Sequence, residues 1–150
     1  MDREELLLKL NWFYSLELSQ VDLYSALSNR FQNKYTSLVF ERIAAIEQQH
    51  VDNMAAQIKK LGGKPSILSD IVAPITGSAV GEILSLGSKE QILQIAILLE
   101  EKAMHDYQQL ILSLPPVEEK KELVRILQSN LVDEDLHTSW FRNNKDINHR

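Results

Sequence analysis

Four stretches of this chain carry apolar residues at intervals of three and four, and each stripe has a glutamate near its middle. Leu6, Leu10, Phe13, Val21, Tyr24 and Leu27 surround Glu17, while Phe40, Ile43, His50, Met54, Ile58 and Leu61 surround Glu47. The third stripe is Ile92, Ile95 or Ala96, Leu99 or Glu100, Ala103, Tyr107, Leu110 and Leu114. The fourth is Val124, Leu127, Leu131, Glu134, His137 or Thr138, and Phe141. Such spacing predicts amphipathic helices. A carboxylate on the buried face of a helix costs several kcal/mol unless it is paired or bound to a cation. Four such acids at one level of a helical core would repel each other, so the fold needs something that compensates them.

The rest of the sequence agrees with long helices. Five Gly and four Pro in 150 residues leave little punctuation for strands and turns. The pattern predicts helices over about 2–31, 35–61, 88–114 and 117–142. Asp2 with Glu5 and Ser88 with Gln91 have capping-box spacing. Gly62-Gly63 and Pro115-Pro116 are stop signals. The connection over 62–87 holds all five glycines. It is apolar, and a short helix is expected over 78–86. Connections of this length inside a compact domain are uncommon and call for a reason. The chain reads as a single domain over 1–150.

Composition removes several function classes. There is no cysteine, which excludes a disulfide scaffold, a thiolate metal site and a catalytic thiol. The net charge of −5 and pI near 5.4 argue against nucleic acid as a partner. No apolar run approaches the length of a transmembrane helix, and Met1-Asp2-Arg3-Glu4-Glu5 does not begin like a signal peptide. A cytoplasmic protein is the expectation.

Two of the glutamates open the same motif, Glu47-Gln-Gln-His50 and Glu134-Asp-Leu-His137. On a helix, residues i and i+3 are neighbours and both can reach one metal ion. The other two precede a tyrosine by seven residues, Glu17 with Tyr24 and Glu100 with Tyr107. Two helical turns place each tyrosine on its glutamate's face. With 13 Glu and 4 His, roughly 0.35 Glu-x-x-His matches arise by chance. Position is the stronger argument. Glu17 and Glu47 are equidistant from the first expected turn, and Glu100 and Glu134 from Pro115-Pro116. In antiparallel helix pairs each couple then sits at one height, ~22 and ~25 Å from its turn. The chain reads as two copies of one helical hairpin.

Four carboxylates and two imidazoles make a metal site. Oxygen donors with two nitrogens suit iron or manganese, and six protein ligands exceed what one such ion takes. Two divalent cations would neutralise four carboxylates. On Glu17…Tyr24, Glu47-x-x-His50, Glu100…Tyr107 and Glu134-x-x-His137, the sequence resembles the ferritin-like di-iron carboxylate proteins. The resemblance covers nearly the whole chain. It implies an all-α, ferritin-like four-helix bundle, two antiparallel hairpins joined by a long crossover. It implies two iron ions, with manganese or a mixed pair as alternatives. Glu47 and Glu134 would bridge or chelate, Glu17 and Glu100 would cap one ion each, and His50 and His137 would bind one each. Tyr24 and Tyr107 are expected to hydrogen-bond ligand carboxylates.

Neighbouring residues take ordinary readings. Glu101 pairs with His105 at i+4 as a solvated or interface couple, which leaves Glu100 as ligand. Met54, Trp12 and Trp140 are packing residues, Asp133 and Asp135 face solvent or support the histidines, and His149 belongs to a polar tail. In the bacterioferritins a haem-binding methionine follows the second-helix glutamate; that position is Gln48, so no haem is expected.

The resemblance implies a centre that reacts with O2 or H2O2 as a ferroxidase or oxidoreductase, in a protein expected to be a homodimer. Rubrerythrins carry a further glutamate where this chain has Ala103, and a cysteine-rich electron-donor domain. Ferritin cages add a fifth helix. The demethoxyubiquinone hydroxylases share the ligand set and a third-helix Glu-Glu followed by His and Tyr, as in Glu100-Glu101…His105…Tyr107. A quinone hydroxylase is therefore the alternative, with the apolar 67–86 segment meeting the quinone. A third reading is a non-catalytic bundle stapled by metal.

Overall fold

The computed structural model describes residues 1–68, 81, 83, 85 and 87–145. Every regular element among them is helical: α1 (Arg3–Arg30), α2 (Lys34–Lys60), α3 (Lys89–Ser113), a 3-10 turn (Glu118–Lys120) and α4 (Lys121–Lys145). The chain divides into two compact units, Met1–Ser85 and Leu86–Arg150. Each is an antiparallel helical hairpin. No helix among the described residues is long and apolar enough to cross a membrane.

In the first unit α1 packs along α2. Asp2 caps α1 by accepting from the Glu5 N–H at 2.8 Å, and Asn33 caps α2 by accepting from the Thr36 N–H at 2.9 Å. Both side chains satisfy amides that the first turn leaves without helical acceptors. The Asn33 cap sets the start of α2 one residue ahead of the expected Tyr35. Gly62 has φ +72, donating to Lys59 O, while Gly63 donates to Ile58 O; this is a Schellman end. Antiparallel packing then brings Arg3 Nε to Leu61 O at 2.8 Å. Gly63 passes so close to α1 that a Cβ there would sit 2.6 Å from Leu7 Cδ2.

The chain leaving α2 turns back along α1. Ser66 N–H donates to Asn11 Oδ1 at 2.7 Å, and Leu68 N–H donates to Ser15 Oγ at 2.9 Å. The core of this unit is Leu6, Leu10, Phe13, Leu16, Leu23, Tyr24 and Leu27 against Phe40, Ile43, Val51, Met54 and Ile58. Val21 and Leu61, expected on the stripes, are half-buried, and Leu23 is buried instead of Val21. Most of the helix expected over 78–86 lies outside the described residues; Gly81, Ile83 and Ser85 are helical.

In the second unit, Ser88 and Gln91 form the full reciprocal capping box at the start of α3. Val117 N–H closes on Pro115 O at 2.8 Å, and Val117 itself is extended at φ −107, ψ 155. One 3-10 turn, closed by Lys120 N–H to Val117 O at 3.0 Å, precedes α4. The helix therefore begins at Lys121 rather than near residue 117. It runs to Lys145 rather than 142, because Asn144 donates to Trp140 O at 2.9 Å and Lys145 Nζ reaches Gln94 on α3. Leu123, Leu127, Asn130 and Phe141 line the buried face of α4, while Val124 and Leu131 are half-buried.

Candidate metal centre

Each unit buries one set of two carboxylates and one imidazole. In the first, α1 supplies Glu17 and α2 supplies Glu47 and His50, all at most 1% exposed. His50 Nδ1 lies 3.0 Å from Glu47 Oε2 and 3.7 Å from Glu17 Oε2. In the second, α3 supplies Glu100 and α4 supplies Glu134 and His137, at most 4% exposed. His137 Nδ1 lies 3.6 Å from Glu100 Oε2 and 3.7 Å from Glu134 Oε2. Within each triad the donor atoms lie within 4.8 Å of one another. Two ligands on one first-row metal at ~2.1 Å are ~3 Å apart when adjacent and ~4.2 Å apart when opposite. The measured separations fall inside that window, so the donors fit a metal ion by spacing as well as by type.

Electrostatics point the same way. Burial pushes the Glu17 carboxyl up to about 8, with neighbouring Glu47 adding and His50 opposing. Burial likewise pushes Glu100 up to about 8, with Glu134 adding and His137 opposing. In each triad the loss of solvent outweighs the imidazole's help. A cation is what would let these carboxylates ionise without that penalty.

Glu100 is fully buried, whereas the Glu101 side chain is 41% exposed and bonds Arg142 on α4 rather than His105. His105 is exposed. Tyr24 and Tyr107 are both fully buried. Tyr24 stacks on Phe40 with ring centroids 5.9 Å apart. Tyr107 Oη accepts from Asn130 Nδ2 at 3.0 Å. Met54 is buried, and Trp12 and Trp140 are half-buried, each edge-on to the phenylalanine that follows it. Asp133 is half-buried, Asp135 is exposed, and His149 lies outside the described residues. Gln48 is exposed and donates to Asp52 at 3.1 Å.

Among the buried polar residues that escaped the sequence reading are Asn11, Gln20, Asn130 and, as anything beyond a stripe alternative, Thr138. Gln20 lies one turn past Glu17 and Asn130 one turn before Glu134. The Thr138 hydroxyl makes no hydrogen bond among the described residues. The available signal was helical spacing from the glutamates, which places all but Asn11 on the ligand faces.

A buried Glu and a buried Glu-x-x-His on each of two helical hairpins define the ferritin-like di-iron carboxylate class of helical-bundle proteins. The profile of one family in that class, described as "Ubiquinone biosynthesis protein COQ7", matches residues 16–146. The chain belongs to that family. The matched range includes all six residues of the two triads. No curated protein matches the chain.

Proposed function

We propose that this chain hydroxylates a quinone in ubiquinone biosynthesis, using O2 at a centre of two iron ions. The observation that carries this reading is the family match over 16–146, which spans every Glu and His of the triads. It favours the quinone hydroxylase over the ferroxidase that the ligand set alone suggests. Glu17, Glu47 and His50 would supply one half of the ligand set, and Glu100, Glu134 and His137 the other. Two divalent ions would balance the four carboxylates, and when bound they would supply the redox chemistry that carbon hydroxylation by O2 requires.

The chain's own residues do the remaining work. Each histidine presents Nδ1 to both carboxylates of its triad, so Nδ1 is the nitrogen assigned to bind. Glu17 and Glu100 hold their protons up to about pH 8 without metal and must release them when metal enters. The near-complete burial of both triads keeps bulk water from the reacting atoms. Asn130 fixes the Tyr107 hydroxyl on the glutamate face of α3. The reaction inserts one oxygen atom of O2 into a ring C–H and reduces the other to water. Two further electrons and two protons are required, with the quinone's reduced form or another reductant as the electron source.

The test is anaerobic loading with Fe(II), an iron count, then O2 with a reductant and a demethoxyubiquinone analogue. The expected results are two irons per chain and a quinone product heavier by one oxygen atom. Oxidation of excess Fe(II) with no change in the quinone would replace this reading by a ferroxidase.

A further inference from the structure

With the two Glu-x-x-His motifs in register, the buried residues nearest the motifs differ in polarity at two positions. Ile43 corresponds to Asn130, and Val51 to Thr138. Asn130 has an evident task in holding Tyr107. Thr138 has none among the described residues. It is 0% exposed, and its Oγ1 has no hydrogen-bond partner among the described residues.

That vacancy is unusual for a helical hydroxyl. Ser and Thr inside helices commonly return a hydrogen bond to a carbonyl one turn back. The buried serines of α1 do so, Ser15 to Asn11 O at 2.7 Å and Ser19 to Leu16 O at 2.6 Å. Thr138 does not take up the Glu134 carbonyl. Burying a hydroxyl without a partner costs stability, and valine has nearly the same shape without the cost. The sister position already uses valine, fully accommodated at Val51.

We propose that the Thr138 hydroxyl is a ligand-contacting group in the second hairpin, reserved for a small molecule that enters the metal centre from outside the chain. It follows His137 directly and lies one turn past Glu134, so it belongs to the stripe that carries those donors. A hydroxyl both donates and accepts and rotates to suit, which matches a water-sized neutral molecule or a small anion. Val51 offers no such contact in the first hairpin. The small ligand is thus taken up on the Glu100–Glu134–His137 side. The inference rests on the reading of the two triads as metal ligands.

The test uses full-length wild type, Thr138→Val and Thr138→Ser, with azide as the probe. Iron content, the thermal midpoint of the metal-free protein and azide affinity of the iron-loaded, air-oxidised protein are measured for each. Thr138→Val is expected to take up two irons and to be at least as stable metal-free as wild type. Its azide Kd should rise about five- to tenfold, the loss of one hydrogen bond. Thr138→Ser should stay within about twofold of wild type. Unchanged azide affinity in fully loaded Thr138→Val would overturn the proposal. So would a clear loss of metal-free stability in Thr138→Val, which would mean that the hydroxyl is engaged within the fold. Failure of wild type to bind iron would instead overturn the metal reading, and this inference with it.

Discussion

The two hairpins carry one ligand pattern in two different surroundings. Both bury Glu, Glu-x-x-His and a tyrosine two turns from the first glutamate. Around α2 the flanking positions are Ile43 and Val51, and Tyr24 rests on Phe40. Around α4 they are Asn130 and Thr138, and Asn130 donates to the Tyr107 hydroxyl. On the partner helices the polarity reverses: Gln20 follows Glu17 by one turn, whereas Ala103 follows Glu100. The comparison separates two demands on the sequence. The proposed ligand chemistry asks for the same three residue types in each half, and the buried residues beside them are left to differ in polarity.

The largest test of equivalence is removal of a ligand from each half. Glu47→Ala and Glu134→Ala should each cut iron uptake from two per chain to one or none, measured by metal analysis after anaerobic loading. A full complement in either variant would break the equivalence and remove that residue from the ligand set.

The next effect is on stability against pH. Glu17 and Glu100 both rise from the ordinary 4.5 to about 8 on folding. The folded metal-free protein therefore binds protons that the unfolded chain releases between those values. Stability rises with pH only where the unfolded state holds more protons, so here it falls as pH increases from about 4.5 to about 8. Thermal denaturation of metal-free protein should show that fall. Glu17→Gln and Glu100→Gln should each remove a comparable part of it. A slope carried by one glutamate alone would show that the halves differ in burial energetics as well as in neighbours.

A smaller effect sharpens the difference. Asn130→Ile copies the first hairpin into the second and takes one donor from the buried Tyr107 hydroxyl, at a cost of about 1–3 kcal/mol in chemical denaturation. Adding Tyr107→Phe should return part of that cost, since removing both partners is cheaper than removing one. Strictly additive losses would mean that the Asn130–Tyr107 bond contributes nothing.

Much of this architecture is legible in the amino-acid order because metal ligation and helix periodicity are both local. Glu47 with His50, and Glu134 with His137, announce themselves at i,i+3, and Ser88 with Gln91 marks a helix start within four residues. The start of α4 was less legible, because Pro115-Pro116-Val117 is compatible with an immediate helix or with the 3-10 turn that forms. Asn130 was passed over, and Thr138 entered only as an alternative stripe position, because a polar residue in a helix is ordinarily solvated; burial is what distinguishes them. Asn11 was passed over because its partner, Ser66, lies 55 residues away. The family match favours the quinone hydroxylase that Glu100-Glu101…His105…Tyr107 offers as the alternative over the ferroxidase that is the main expectation.

The seam of Asn11 and Ser15 has a consequence for where the first hairpin ends. Helix limits would place its boundary at Lys60, yet the amides of Ser66 and Leu68 are held by side chains of α1. Hydrogen exchange at those amides should be slowed to the pace of the hairpin itself, although neither lies in a helix. A cut placed just after Gly63 would keep both helices whole and still strip Asn11 and Ser15 of their acceptor roles. Counted by the α1 side chains that hold its backbone, the first hairpin therefore extends to Leu68.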